Sequence, residues 1–440
     1  MRLAFETANL YPSQGGVYTY ASQLLWRLMR LAEPPDITLV DGLRHRDRDR
    51  LIRDLADLPD EARAALSTTR YVKARRLPVA FLSSIDGPWM RHASTRHLAT
   101  HIDKRVVMPY RQWLHGVPLV ARWALPRDML GRMDVFHWSD GIFFRVPGAA
   151  HVMTVLDTIP LNHPEWCTRE QVAYHTRKLR LIARYATRVI AISEHTRRDI
   201  VRLLGIPTER IDVIPLGVGA EFKPPTDRGA RQAVLARHRL RDGDYILYVG
   251  NDKPHKNLAR LVAAFTATIE RMPWLTTTLV LAGVSRWPND GDRTVARLGD
   301  RLVLPGRVPQ EDLPVLLNAS RAVAFVSLYE GFGLPPLEAM ACGAAVVASN
   351  SSSIPEVVGD AGLLVDPYNV DDIATALQRV ITDDALRAEL IERGLRRAAR
   401  FSWAKAADMT METYRRALSS AARQYARPSS GTAYCRGGTF

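Results

Sequence analysis

The apolar run Ala322-Val323-Ala324-Phe325-Val326 passes directly into Ser327-Leu328-Tyr329-Glu330-Gly331-Phe332-Gly333-Leu334-Pro335-Pro336-Leu337-Glu338-Ala339-Met340. An unbroken apolar run of this length suits a parallel strand covered on both faces. Pro335 and Pro336 stand where a helix would begin, since proline is favoured at the first helical position. The elbow between strand and helix therefore lies at a carboxyl end, where open parallel sheets hold their ligands. Gly331 and Gly333 permit close backbone approach there. The free amides of the helix start can receive an anion such as a phosphate. Glu338 falls one turn into the helix, placed for its carboxylate to accept two hydroxyls of a ribose. Glu330 precedes the elbow and can take hydroxyls of a second sugar. The competing reading is a capped helix after a tight turn, with Glu338 as a favourable first-turn acid; the Gly-Phe-Gly-Leu-Pro loop with both Glu residues favours the ligand site over it.

The same alternation extends over most of the 440 residues. Strands are expected at Arg2–Glu6, Ile37–Val40, Asp134–Phe136, Val152–Leu156, Arg188–Ile192 and Asp212–Ile214. A second series is expected at Tyr245–Val249, Thr278–Ala282, Leu302–Leu304, Ala322–Val326, Ala345–Ala348 and Leu363–Val365. Amphipathic stretches such as Val17–Leu31, Glu170–Tyr185 and Leu258–Ile269 lie between them, a pattern that predicts doubly wound α/β domains. The prolines of Pro215-Leu216-Gly217-Val218 and Lys223-Pro224-Pro225-Thr226 break the alternation. The expected fold class is thus α/β, with two Rossmann-like doubly wound domains, 1–215 and 229–401, joined by a linker at 216–228 and facing across a cleft. A closing helix over 402–425, capped by Ser402, is expected to pack back on the first domain. The Gly/Ser-rich tail 427–440 is expected to be disordered.

With 47% hydrophobic and 24% charged residues, the composition excludes disordered, collagen-like and coiled-coil chains. Three scattered cysteines (Cys167, Cys342, Cys435) exclude a disulfide scaffold or a Cys-based zinc site, and fit a reducing cytoplasm. No apolar run approaches the roughly 18 residues of a membrane span, and an acid as early as Glu6 argues against a signal peptide. The formal charge is +14, with a pI near 9.9, which points to nucleic acid, an anionic membrane or an anionic substrate. Residues 70–132 carry twelve Lys and Arg against three acids, interleaved with Phe81, Trp89, Tyr110, Trp113 and Trp123. Cations mixed with Trp and Tyr suit a lipid headgroup layer, while an Arg-rich solvated surface explains the charge equally well. No recognition-helix, OB or RRM signature supports nucleic acid, which is the least favoured class.

The Glu330–Glu338 segment resembles the Glu-x7-Glu motif of retaining, metal-independent GT-B glycosyltransferases of family four, the group-one transferases. The resemblance covers nearly all of residues 1–425. It includes Arg188–Ser193 with Glu194-His195-Thr196-Arg197-Arg198-Asp199, Ile211–Val218, and Phe401-Ser402-Trp403 with Ala406 and Tyr414. It implies a C-terminal domain that holds a nucleotide-sugar donor and an N-terminal domain that holds the acceptor. No metal ligand and no cofactor are implied, the nucleotide sugar being a substrate.

Carried over residue by residue, the resemblance gives Glu338 the ribose. Glu330 and the backbone of Phe332, Gly333 and Leu334 would take the donor sugar. In Gly250-Asn251-Asp252-Lys253-Pro254-His255-Lys256-Asn257, Lys256 would meet the diphosphate beside a helix capped by Asn257. Many members have Arg where this chain has Asn251, so either Lys253 or His255 would supply that donor. Gly15 and Gly16 would offer amides to the leaving group. Val308, in Arg307-Val308-Pro309, would touch the nucleobase through its backbone. Val155-Leu156-Asp157-Thr158-Ile159-Pro160 resembles the family's His-Asp-x-x-Pro segment with Leu156 in place of the His. Asp157 would hold the acceptor hydroxyl or order its loop. His137, at a strand end, is a second acceptor-side candidate, although a lone His is more often a packed residue.

The expected catalytic set is Glu330, Lys256 and Asp157. The expected activity is transfer of a hexose, with GDP-mannose as donor, to a glycan or lipid-linked acceptor of surface-polysaccharide assembly. The place expected for it is the cytoplasm, with 70–132 on the anionic inner membrane face. A sugar phosphorylase or an inverting transferase on the same fold is the alternative.

Overall fold

The computed structural model describes residues 1–6, 16–28, 30–43, 71–72, 80–83, 104–109, 132–139, 146, 148–287 and 293–426. The strands of the first half are β1 (Arg2–Glu6), β2 (Asp36–Leu43), β3 (Tyr71–Val72), β4 (Ala80–Ser83), β5 (Lys104–Pro109), β6 (Val135–Trp138), β7 (Ala150–Val155), β8 (Arg188–Ala191) and β9 (Ile211–Val213). They form one nine-stranded sheet in the order β3-β4-β5-β2-β1-β6-β7-β8-β9. The second half contributes β10 (Tyr245–Val249), β11 (Thr278–Ala282), β12 (Leu302–Val303), β13 (Ala322–Phe325), β14 (Val346–Ser349) and β15 (Leu363–Val365), ordered β12-β11-β10-β13-β14-β15. Every pairing of this second sheet is parallel. Its central strands are buried at every position, as β13 and β14 show, which is why they read as continuous apolar runs.

Three strands lie where sequence reasoning saw only a basic segment. β5 pairs parallel with β2, whereas β3 and β4 add an antiparallel edge. The first sheet is therefore mixed, not purely parallel. Periodicity over two to six residues is too short to stand out among so many arginines. Beyond β3, β4, β5 and Arg132, the segment 70–132 lies outside the described residues, as do the loop ending at Gly15 and the tail 427–440.

The helices are α1 (Gly16–Leu28), α2 (Ile159–Asn162), α3 (Arg169–Tyr185), α4 (Glu194–Leu204), α5 (Arg228–Arg237), α6 (Leu258–Arg271), α7 (Arg293–Leu298), α8 (Leu313–Ala319), α9 (Leu334–Ala341), α10 (Ile354–Val358), α11 (Val370–Thr382), α12 (Asp384–Ala398) and α13 (Trp403–Ala426). Local chemistry starts several of them. Thr168 and Gln171 form a reciprocal capping box on α3, and the Ser193 hydroxyl accepts from the Thr196 amide at α4. Ser402 caps α13 by accepting from the Lys405 amide, as expected.

Asn257 departs from its expected role. It precedes α6 with φ 60° and makes no side-chain cap. Its amide donates instead to the carbonyls of Val326 and Pro367, and its oxygen accepts from Arg260. A buried Asn satisfied by two distant carbonyls is a tertiary cross-brace, which composition around a helix start does not reveal.

After β9 the chain crosses to the second sheet, and Val218 pairs with Ser402 where the chain returns. The two crossings thus run side by side. α13 then packs on the first domain: Thr413 and Arg416 bond Asp212, which also receives a bidentate pair from Arg188 at 2.6 and 2.7 Å.

Candidate active site

The elbow after β13 is held from below by three serines that follow β14. The Ser353 hydroxyl donates to the Glu330 and Phe332 carbonyls, the Ser351 hydroxyl donates to the Leu328 carbonyl, and Ser352 Oγ accepts from the Glu330 amide. α9 opens after Gly333, whose φ of 123° no ordinary side chain adopts comfortably. This bracing presents Glu330 beside Lys256, which stands in a 3₁₀ turn (Pro254–Lys256) between β10 and α6. Lys256 Nζ lies 2.7 Å from Glu330 Oε1, the two side chains being only 14% and 13% exposed. The ammonium also rests 5.2 Å from the Phe325 ring centroid. Lys256 is thus already partnered, by another charged residue expected in the donor site.

The first domain closes directly over this pair. A Cβ added to Gly331 would sit 1.9 Å from the Leu156 carbonyl oxygen and 3.1 Å from Asp157 Cβ. The close approach that Gly331 allows is therefore to the backbone of the opposite domain. Asp157 follows β7, and its carboxylate accepts from the Ile159 amide at 3.1 Å. Burial raises its carboxyl above the usual range. His175, the Ile159 amide and Lys253 oppose that rise, while Glu330 adds to it. Asp157 and Glu330 are thus near enough to feel one another across the cleft, with Lys253 and His175 beside them.

The two residues weighed at Asn251 differ in burial. His255 is 6% exposed, and desolvation together with Lys256 lowers it to about 4, so it is neutral near pH 7. It stands 6.1 Å from the Trp166 ring, and its carbonyl accepts from the Leu328 amide. Lys253 is exposed and acts electrostatically on Asp157, Cys167 and His175, so it is the cation facing the first domain. Asn251 is exposed, and its carbonyl accepts from Tyr248. Val308 is partly buried on a loop tied to the end of β11, where the Gly283 amide donates to Gly306 and the Gly306 amide to Val284.

Glu338 stands apart from the Lys256–Glu330 pair. It is partly buried on α9, and desolvation, with a smaller contribution from Glu221 of the linker, pushes its carboxyl up to about 8. Phe332 is buried and Leu334 partly so, and the Phe332 ring packs edge-on against Phe401 at 5.9 Å. Their backbone is what remains to offer a ligand. Gly16 opens α1, while Gly15 lies outside the described residues.

His137 does not belong to the cleft. It has no exposed surface and is clamped between the Tyr414 hydroxyl at 2.5 Å from Nδ1 and Thr154 Oγ1 at 2.9 Å from Nε2. Burial lowers it to about 3, so the ring is a neutral hydrogen-bonding link between β6 and α13. Its strand-end position suggested the acceptor side, but α13 returns from the far end of the chain to cover it. Conversely, sequence reasoning gave no role to His175, to Tyr329 of the elbow or to Asp199 of the Glu194–Asp199 segment. Polar spacing on α3 and α4 describes any solvated helix face, and a Tyr beside a strand end reads as packing.

The Lys256–Glu330 pair and, across from it, Asp157 beside the Gly331 turn thus stand together at the carboxyl ends of two facing sheets. The family model described as Glycosyl transferases group 1 matches residues 233–397, and that described as Glycosyltransferase Family 4 matches residues 62–222. O-antigen chain mannosyltransferase B of Escherichia coli is 35% identical over 271 residues, 60% of this chain and 70% of that protein. The chain belongs to the group 1 glycosyltransferases. It is a glycosyltransferase enzyme with two Rossmann-like domains in the GT-B arrangement.

The serotype-specific mannosyltransferase WbdA of Escherichia coli is 33% identical over 248 residues, but the match spans only 29% of that longer protein. Among solved structures, Anabaena HepE in complex with UDP and glucose superposes with a TM-score of 0.63 at 18% identity, covering 94% of this chain and all of that one. The lipopolysaccharide-biosynthesis glycosyltransferase WaaG gives 0.59 at 15% identity, covering 92% and 98%. Both show that this glycosyltransferase shares their fold. Among the described residues, no helix is long and apolar enough to cross a membrane.

Proposed function

We propose that this glycosyltransferase moves a hexose, with mannose the favoured sugar, from a nucleotide-sugar donor to a glycan or lipid-linked acceptor in surface-polysaccharide synthesis. One observation carries the reading: Lys256 and Glu330 pair at 2.7 Å at the carboxyl ends of the second sheet, under Asp157 of the first. The mannosyl preference rests on the named activities of the O-antigen relatives.

In this reading the donor diphosphate draws Lys256 off Glu330 and takes its charge, with the amides opening α9 adding their dipoles. Glu330, freed from the lysine, accepts hydroxyls of the transferred sugar, and Glu338 those of the ribose. Asp157, its carboxyl raised by burial and by Glu330, orients the incoming acceptor hydroxyl. Neither Glu330 nor Glu338 has a partner base to make it a covalent nucleophile, so the departing phosphate oxygen takes the acceptor proton on the face it leaves. The anomeric configuration is then retained. Charge compensation by Lys256, Lys253 and backbone dipoles makes this a metal-independent transfer. The basic segment 70–132 would dock this face on an anionic inner membrane surface from the cytoplasmic side.

A panel of nucleoside diphosphates and nucleotide sugars tested by thermal shift identifies the donor, because a bound donor stabilises by mass action. NMR of the product then reads its anomeric configuration. Release of free nucleotide with an inverted product, or a requirement for inorganic phosphate as acceptor, would overturn the retaining-transfer assignment. Transfer abolished by EDTA and restored by a divalent ion would overturn metal independence.

A further inference from the structure

Between the two carboxylates of the cleft lies a hydrogen-bonded node built from both domains. Tyr329, the residue before Glu330, sends its hydroxyl across the cleft to Asp199 Oδ2 on α4. The same carboxylate oxygen accepts from Thr158 Oγ1 at 2.9 Å and from Asn162 Nδ2 at 2.8 Å. Thr158 is the residue after Asp157. Its hydroxyl oxygen lies 2.8 Å from the Tyr329 hydroxyl, which also accepts from Asn162 Nδ2 at 3.2 Å. Arg202 binds the other Asp199 oxygen at 2.5 Å, and His195 Nε2 approaches Oδ2 to 3.5 Å. Tyr329 and Asp199 are each 5% exposed.

Two flanking contacts run in the same direction. The Gly331 carbonyl accepts from Ser193 Oγ at 2.8 Å and from Thr196 Oγ1 at 3.2 Å. The Glu356 carboxylate of α10 accepts from the Glu194 and His195 amides at 2.8 and 2.7 Å, so the second domain caps the first turn of α4. Residues 329–331 are thus fastened to α4 at both ends, with Glu330 between the fastenings and pointing to Lys256.

We propose that Tyr329 is a positioning residue for the transfer: its hydroxyl, donated to Asp199 beside Thr158, locks the closed cleft and sets Glu330 against Asp157. The physical logic lies in the hydroxyl alone. When the cleft opens, water replaces each partner, so the phenol and carboxylate lose little. When it closes, both are buried, and a buried group missing its partner carries its full desolvation cost. A charge-assisted bond in a dry site therefore favours the closed state by a margin that one atom controls. Burial would raise the Asp199 carboxyl, but hydrogen bonds from Tyr329, Arg202 and Thr158 outweigh it and hold it below the ordinary range. The acceptor end of the lock therefore stays ionised at neutral pH. The inference rests on the reading of Glu330 and Asp157 given above only for its effect on turnover, not for its effect on closure.

Tyr329→Phe removes the hydroxyl and keeps the ring that packs on His163 and His195. Small-angle scattering of the full chain without ligand should show a larger radius of gyration in Y329F than in the unsubstituted protein, with a cooperative melt retained. Transfer assays should show kcat lowered by about tenfold or more, the loss expected for one hydrogen bond to a charged group, and donor KM changed by less than about threefold. Asp199→Asn should reproduce both effects, and Y329F/D199N should be no worse than the stronger single variant. Identical scattering in Y329F and the unsubstituted chain overturns the lock. An opened Y329F with full kcat overturns the positioning role, as does a double variant whose losses multiply. If the unsubstituted chain transfers no sugar from any nucleotide donor, the functional reading falls, and the scattering comparison still decides the lock.

Discussion

Replacing Lys256 by Met tests the center of the site, since it keeps the apolar stem and removes only the ammonium. Its partner, Glu330, would remain 13% exposed, within the electrostatic reach of Asp157 and without the ammonium that now pairs it. Breaking a fully buried pair from one side costs about 3–5 kcal/mol, whereas an exposed pair is worth about 0.2–1 kcal/mol. A pair buried to this degree at the edge of a solvent-filled cleft falls between, at about 2 kcal/mol, which for a domain of this size lowers Tm by about 4–8 °C. The double variant Lys256→Met/Glu330→Gln leaves no charge unmatched and should recover at least half of that shift. Calorimetry at pH 7 on the single and double variants reads the effect directly. If the ammonium meets the leaving diphosphate as proposed, turnover should fall about 10²- to 10³-fold in both, the double variant regaining stability without activity. A K256M protein that melts like the unsubstituted chain, or a double variant no more stable than K256M, would refute the electrostatic account. Turnover within threefold of the unsubstituted enzyme would refute the assignment of Lys256.

Glu338, with its carboxyl pushed up to about 8 in the folded chain, favours folding when protonated, and that contribution is lost as pH rises through about 8. Glu338→Gln should therefore match the unsubstituted protein in Tm near pH 4 and exceed it increasingly toward pH 8, while weakening donor binding; a difference in Tm that stays flat with pH contradicts the desolvated carboxyl. His137→Ala should cost about 3 kcal/mol by opening a cavity and taking their shared partner from the buried Tyr414 and Thr154 hydroxyls, yet leave kcat per folded molecule unchanged; a specific loss of kcat below the melting range would return His137 to the site. Gly331→Ala places a methyl 1.9 Å from the Leu156 carbonyl, so the cleft must open, and turnover should drop by at least about tenfold with a cooperative melt retained. Full activity in G331A would show that transfer does not need the approach seen here.

The strands of the second domain were legible because a parallel strand buried on both faces must be apolar throughout, and a short glycine-proline elbow punctuates its end. Tyr245–Val249, Thr278–Ala282 and Leu363–Val365 fall where the sequence places them. The place of the candidate residues was legible for a related reason: Glu330 and Lys256 follow strand ends by five and seven positions, so local order alone assigns them to one edge of one sheet. Strands β3 to β5 were not legible, because two-residue and four-residue strands on a mixed edge carry little periodicity of their own.

What the chain order could not contain is which groups meet from far apart. Asp199 and Tyr329 are 130 positions apart, and His137 and Tyr414 are 277 apart; the first pair makes a cleft lock and the second hides a candidate ligand-binding residue inside the core. A lone His or Asp has the same local signature whether it is solvated, packed or partnered across a cleft, since its ionisation and reach are fixed by desolvation and by neighbours brought in by other elements. Sequence by itself therefore determined the α/β alternation, the place of the elbow and the residue types at the donor edge. Tertiary structure alone decided that Lys256 is already engaged, that Lys253 rather than His255 carries charge toward the first domain, and that His137 is core, because burial and distance are properties of the closed fold and not of the order of residues.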